Sequence, residues 1–155
     1  MKLNWFFEPN RDSEKIDIHL HPTNKNVASQ ITSLLQPERK LEVSDPITQR
    51  KSYVTCRDVF WIESMDHVSK LYTLDQQVFY LKGRLKEFNN LVEWGLIRIN
   101  NTTILNLNQV ISFQTDRNAC LTVYTKNEHY FRISRHYTKA IRQQLLRFQV
   151  DQGGR

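Results

Sequence analysis

Three short polar stretches, each bracketed by apolar runs, hold the side chains with the clearest chemical potential. Met65-Asp66-His67-Val68-Ser69-Lys70 lies between two strand-like segments, and Asn100-Asn101-Thr102-Thr103 interrupts the run Leu96–Phe113. Ser134-Arg135-His136 leads into a helical pattern that carries Lys139. An Asn amide can pair bidentately with adenine in a major groove. Arg, Lys and protonated His can address guanine or phosphate, and Ser or Thr hydroxyls can fix register on phosphates. Each stretch also has a plainer reading. Asn-Asn is ordinary turn chemistry, and Ser-Arg-His before a helix reads as a cap. Asn106, just beyond the second stretch, reads as a residue that bonds backbone and shapes the turn.

Catalytic chemistry finds little support. The chain has no G-x-S-x-G, no phosphate loop, no H-E-x-x-H and no dinucleotide fingerprint, and four glycines could scarcely build a phosphate cradle. His19-x-His21 would place two rings on one strand face, but no Cys, Asp or Glu stands at ligand spacing, so no metal site is assigned. Glu63, Asp66 and His67 form an acid–imidazole cluster without a nucleophile beside it in sequence, and they read as a solvated loop. The expectation is a protein that is not an enzyme and needs no cofactor.

Charge points towards an anionic partner. The 22 Lys+Arg against 16 Asp+Glu give +6 over 155 residues. Residues 1–51 are near neutral, with eight basic and seven acidic side chains, whereas residues 52–155 carry fourteen against nine. From Tyr130 onwards the balance is six against one. Nucleic acid fits that asymmetry better than a membrane surface, because nothing resembles a lipid-binding helix. No apolar run approaches the ~20 residues of a membrane span. Cys56 and Cys120 stand far apart without a partner pattern, so a reduced, cytoplasmic location is expected.

The elements that must position these residues follow from periodicity. Lys2–Phe7 is strand-like, and Ile16-Asp17-Ile18-His19-Leu20 alternates as a half-buried strand does. Pro22-Thr23-Asn24 starts a helix with Val27, Ile31, Leu34 and Leu35 on one face, Pro37 ends it, and Leu41-Glu42-Val43 reads as another strand. Residues 1–46 therefore read as a small strand-strand-helix-strand unit, with Ser44–Lys51 as linker. Residues 52–150 hold dense short strands: 52–55, 59–63, 70–73, 78–80, 110–114, 121–125 and 130–133. An amphipathic helix over Arg84–Trp94, with Leu85, Phe88 and Val92 inward and Gly95 as its stop, is expected to lie on the sheet. Tyr137, Ile141, Leu145 and Phe148 make a last helix, and Gln152-Gly153-Gly154-Arg155 a frayed tail. The fold class expected is mainly β (α+β): an antiparallel β-strand body with packed amphipathic helices.

Four motifs in order carry a family resemblance over residues 53–147. Val59-Phe60-Trp61-Ile62-Glu63-Ser64 resembles the strand I-x-Y-I-E-A, and Leu85-Lys86-Glu87-Phe88 resembles R-L-x-E-L. The run Leu96 to Leu107 resembles F-x-R-I-H-R-S-x-I-V-N-L, and Ile133 to Lys139 resembles V-S-R-R-Y-x-K. These are the motifs of the LytTR domain, the β-rich DNA-binding module of bacterial transcription regulators. The resemblance implies loops on one side that enter successive major grooves of double-stranded DNA, typically at promoter repeats. By position, His67, Ser69 and Lys70 match the first contacting loop, Asn100 and Asn101 the second, and Arg135 with His136 the third, and Thr102 and Lys139 beside them are further candidate DNA contacts. Asn100 stands where His is commonest, Asn101 where Arg often stands, and His136 replaces a second Arg, which leaves base preference open.

The first fifty residues cannot hold a receiver domain of ~120 residues, and the N-terminal unit resembles that of short, stand-alone LytTR regulators. So small a unit is expected to pack on its copy in a homodimer. The family's short regulators are often encoded with a membrane protein that restrains them, an expectation from the resemblance alone. Two rival readings stand beside this one. The first is an RNA- or single-strand-binding β module that stacks bases on Trp5, Phe6, Phe60, Trp61 and Tyr72. The second is a protein-interaction adaptor.

Overall fold

The computed structural model describes residues 2, 4–35 and 37–152, with the side chains of residues 33 and 147–152 outside that description. The chain divides into two units, residues 1–36 and 37–155.

In the first unit, residues 2 and 4–20 form turns and irregular chain, and Leu3 of the expected first strand lies outside the described residues. The strand expected at Ile16–Leu20 is absent: these residues join no sheet, and Ile16 and Ile18 are 72% and 48% exposed. Period-two alternation specifies which side a strand would bury, but a strand exists only where a neighbour takes its backbone hydrogen bonds. The helix is present. A short 3₁₀ turn, Pro22–Asn24, runs into α1, Lys25–Leu35. His21 caps this start, its Nδ1 accepting from the Thr23 amide (3.4 Å), so it serves the helix terminus. None of the unit's described side chains is buried.

Among its described residues the second unit holds ten strands: β1 (Lys40–Ser44), β2 (Lys51–Thr55), β3 (Val59–Met65), β4 (Val68–Thr73), β5 (Val78–Lys82), β6 (Leu96–Arg98), β7 (Thr103–Asn106), β8 (Val110–Thr115), β9 (Leu121–Thr125) and β10 (Tyr130–Ile133). Helix α2, Arg135–Gln152, closes the described chain. Seven strands form an antiparallel sheet in the order β2-β1-β5-β4-β3-β7-β6, and three form a second sheet, β10-β9-β8.

Strand β1 corrects the expected boundary. Leu41 and Val43 are buried, β1 pairs with β2 along its length, and Ser44 pairs with Tyr80 of β5. The strand assigned to the N-terminal piece is thus an interior strand of the large sheet. The expected linker is a tight turn. The Asp45 carboxylate accepts from the amides of Ile47 and Thr48 (both 2.8 Å), and Asp45 N donates to the Arg50 carbonyl (2.9 Å). Those amides, Thr48 first and then Ile47, hold the Asp45 carboxyl below its ordinary value.

Two apolar clusters flank the large sheet. Alternation sends Ile62, Leu96 and Ile104 to one and Leu105, Ile97 and Ile99 to the other. A β-bulge at Val59/Trp61 turns both Phe60 and Trp61 towards the second cluster, where β9, β10 and α2 supply Leu121, Val123, Ile133 and Ile141. The first cluster is covered by the helix at Leu85–Trp94, which is 3₁₀. Three residues per turn align Leu85, Phe88, Leu91 and Trp94 on the sheet. Leu91 is therefore buried where α-helical spacing points to Val92, which is 44% exposed. Gly95 (φ 80°) stops the helix as expected, and a Cβ there would meet Asn108 Nδ2 at 2.6 Å. The Phe148 side chain of the expected helix face, and residues 153–155 of the expected tail, lie outside the described set. Among the described residues no helix is long and apolar enough to cross a membrane.

Candidate nucleic-acid interface

Backbone hydrogen bonds gather the three polar stretches at one end of the second unit. The β3–β4 turn leaves Met65 and returns at Val68, with Asp66 in the left-handed region (φ 52°). Beside it, Ser64 N donates to the Thr102 carbonyl (2.8 Å), which ties the end of β3 to the β6–β7 loop. That loop is tied in turn to the start of α2, because Ser134 N donates to the Ile99 carbonyl (3.0 Å) and Asn100 Nδ2 to the Arg132 carbonyl (3.4 Å). Residues far apart in the chain thus become one continuous edge.

Within that edge the expected site residues separate into two groups. His67, Asn101, Arg135, His136 and Lys139 are exposed. Among the described residues, the side chains of Asn101, Arg135 and Lys139 take part in no intramolecular hydrogen bond or ion pair. His67 contacts Arg84, and His136 stands edge-on to Tyr137 at 4.9 Å.

The other four have structural occupations. Ser69 is fully buried and donates to the Gly83 carbonyl (2.9 Å), so its assignment to a contacting loop is corrected. Period two explains this, since β4 turns 69, 71 and 73 inward. Lys70 sits back from the tip, half-buried on the opposite face, with its ammonium 5.4 Å from the Tyr72 ring centre. Asn100 shapes its own turn: Oδ1 accepts from the Thr102 amide (2.9 Å) and hydroxyl (3.0 Å), which also engages Thr102. Asn106 behaves as expected, buried, with Nδ2 donating to the Val59 carbonyl (2.8 Å) and Oδ1 accepting from Asn108 N (3.0 Å).

Two arginines were missed at the sequence level. Arg98 Nε and Nη2 donate to the carbonyls of Asn100 (3.2 Å) and Asn101 (2.9 Å), so one guanidinium braces the loop. Arg84 comes beside the β3–β4 turn because Val68 pairs with Lys82 across β4 and β5, and its Nη2 lies 3.4 Å from His67 Nδ1. Nothing in local spacing links positions 67 and 84. The R-I pair in the third motif is the signal that could have drawn attention to Arg98.

Cation exposure along this edge suits phosphate. Arg132, though exposed, is paired with Asp116 at 3.1 Å, and Arg142 donates to the Thr115 hydroxyl. The aromatic residues of the single-strand reading are spent on one another. Phe60 is 3% exposed, and Trp61 stacks on Tyr72 at 4.1 Å with 16° between planes. Only Trp5 and Phe6 of that set are exposed. Burial pushes the Cys56 thiol up, which suits a core residue rather than a reactive one.

The second unit is thus a β-rich body that presents polar loops from one end, with a 3₁₀ helix on one sheet face and a long helix after the last strand. The chain belongs to the LytTr DNA-binding domain family, which matches residues 49–146. A LytTr DNA-binding domain from Bacillus cereus shares the fold, with a TM-score of 0.61 and 20% identity over 71% of this chain and 98% of that one. Similar in sequence are Staphylococcus aureus proteins described as uncharacterised HTH-type transcriptional regulators. The one from strain NCTC 8325 is 29% identical over 94% of this chain and 98% of its own length, and that from strain N315 is 28% identical over the same shares. Despite that description, no two helices joined by a tight turn occur among the described residues 37–152.

Proposed function

We propose that this chain is a bacterial transcriptional regulator that binds double-stranded DNA sequence-specifically, its loops entering successive major grooves. One observation carries the reading: the β3–β4 turn, the β6–β7 loop and the start of α2 are hydrogen-bonded into a single edge whose free side chains are donors, amides and cations. His67, Asn101, Arg135 and His136 are assigned to base edges and Lys139 to phosphate. Asn100, Thr102, Arg98 and Ser69 hold the loops in shape. The family and the regulator descriptions of the staphylococcal relatives support the same function. A gel-shift series with duplex DNA, single-stranded DNA and RNA tests it; preference for either single strand would sink the duplex reading.

Residues 1–36 are assigned to self-association. Trp5, Phe6, Phe7 and Ile16 are each more than 70% exposed, and a piece below ~40 residues seldom sustains a core alone. Light scattering of the full-length protein on DNA should report two copies per repeated site, and a monomer on DNA would refute the assignment.

A further inference from the structure

We infer that Arg84 holds His67 in its Nε2–H tautomer, so that the two side chains form a donor-only pair that selects guanine in the major groove. This rests on the duplex-binding reading above. A guanidinium carries five N–H groups and no acceptor, whereas a neutral imidazole carries one donor and one acceptor. Arg84 Nη2 lies 3.4 Å from His67 Nδ1. Two donors cannot share a hydrogen bond, so Nδ1 accepts and the ring proton sits on Nε2, on the far side of the ring from that contact.

The pair is held from several directions. Pairing of Val68 with Lys82 sets the Arg84 segment beside the turn. The buried Ser69 hydroxyl grips the Gly83 carbonyl (2.9 Å). Glu87 binds Arg84 at both backbone groups, its carboxylate accepting from Arg84 N and its own amide donating to the Arg84 carbonyl (2.9 Å). The Arg84 backbone is fixed, and its exposed guanidinium keeps N–H groups to spare beside the imidazole Nε2–H.

Guanine presents two adjacent acceptors in the major groove, N7 and O6. Adenine sets an N6–H donor beside N7, thymine a methyl beside O4, and cytosine a donor. Side-by-side donors match guanine alone, and against adenine one N–H would face another. The opposite tautomer would expose an acceptor at Nε2 and favour adenine or cytosine.

Long-range ¹H–¹⁵N NMR of the full-length protein at pH 8, where imidazole is neutral, reads the tautomer without DNA. The Nε2–H form is expected for the wild type and for Arg84→Lys, which is also a pure donor. Arg84→Gln can turn its carbonyl to an Nδ1–H and should give a mixture. Duplexes selected from a random pool by the wild-type protein then supply the second arm. Replacing the critical guanine by 7-deazaguanine should weaken wild type and Arg84→Lys about fivefold, the worth of one ordinary hydrogen bond, and Arg84→Gln or His67→Ala less than about twofold. An Nδ1–H wild-type ring, or guanine dependence that survives His67→Ala, would overturn the inference. A pool without any enriched duplex would overturn the duplex reading itself, while NMR still decides the tautomer.

Discussion

Ile16–Leu20 and Leu41–Val43 carry the same message in sequence, an apolar residue at every second position, and meet opposite fates. Leu41 and Val43 are 8% and 2% exposed within a seven-stranded sheet, whereas Ile16 and Ile18 remain 72% and 48% exposed in irregular chain. The difference lies outside both segments. β1 finds β2 through the Asp45 turn and β5 at its end, while Ile16–Leu20 has no hairpin partner within the described residues. A strand is a property of a pair, and alternation names only the face it would bury.

Deletion should break this comparison most forcefully. Removing residues 1–36 should leave a cooperatively melting β domain. Extending the deletion to residue 46 removes β1, separates β2 from β5 and uncovers Val54 and Leu81, so cooperative melting by circular dichroism should be lost. Equal melting of the two truncations would show that β1 does not belong to the domain.

Single apolar substitutions sharpen the contrast. Ile62→Ala, at a fully buried site, should cost ~2–5 kcal/mol by urea denaturation. Ile16→Ala should stay within ~0.5 kcal/mol of wild type in monomeric protein, as exposed changes do.

The asparagines of the β6–β7 hairpin extend the same logic to the site. Asn106→Ala strips partners from the Val59 carbonyl and the Asn108 amide, so ~1–3 kcal/mol of stability should go. Asn101→Ala should leave the melting temperature in place yet cost ~1–3 kcal/mol of binding at selected duplexes, with little change on random DNA. Equal losses on both duplexes would remove Asn101 from base readout. The smallest effect is expected of Lys139→Ala: a modest, sequence-independent loss that lowers the salt slope by about 1.

Much of the fold was legible because its signals are local. The strands from 52 to 133, the Gly95 stop and the last helix follow from periodicity and breakers within short windows. The 3₁₀ character of Leu85–Trp94 escaped, because a ridge at 85, 88, 91 and 94 and an α-helical stripe through 92 fit nearly the same residues. Burial on the sheet decided between them. Asn106 was legible as a turn-former, but its reach to Val59 depends on β3 and β7 lying side by side.

Amino-acid order by itself determined the residue types of the three polar loops, the basic bias of the later chain and the motif series that marks the family. Tertiary structure decided which of those side chains are free. Ser69 and His67 sit two positions apart in one hairpin, yet strand alternation turns one into the core and turn geometry leaves the other exposed. Arg84 reaches His67 only because β4 and β5 pair, and the Asn100 amide nitrogen is engaged only because β10 delivers the Arg132 carbonyl. Hydrogen bonds between distant segments have no local periodicity to announce them, so folding alone assigns those partners.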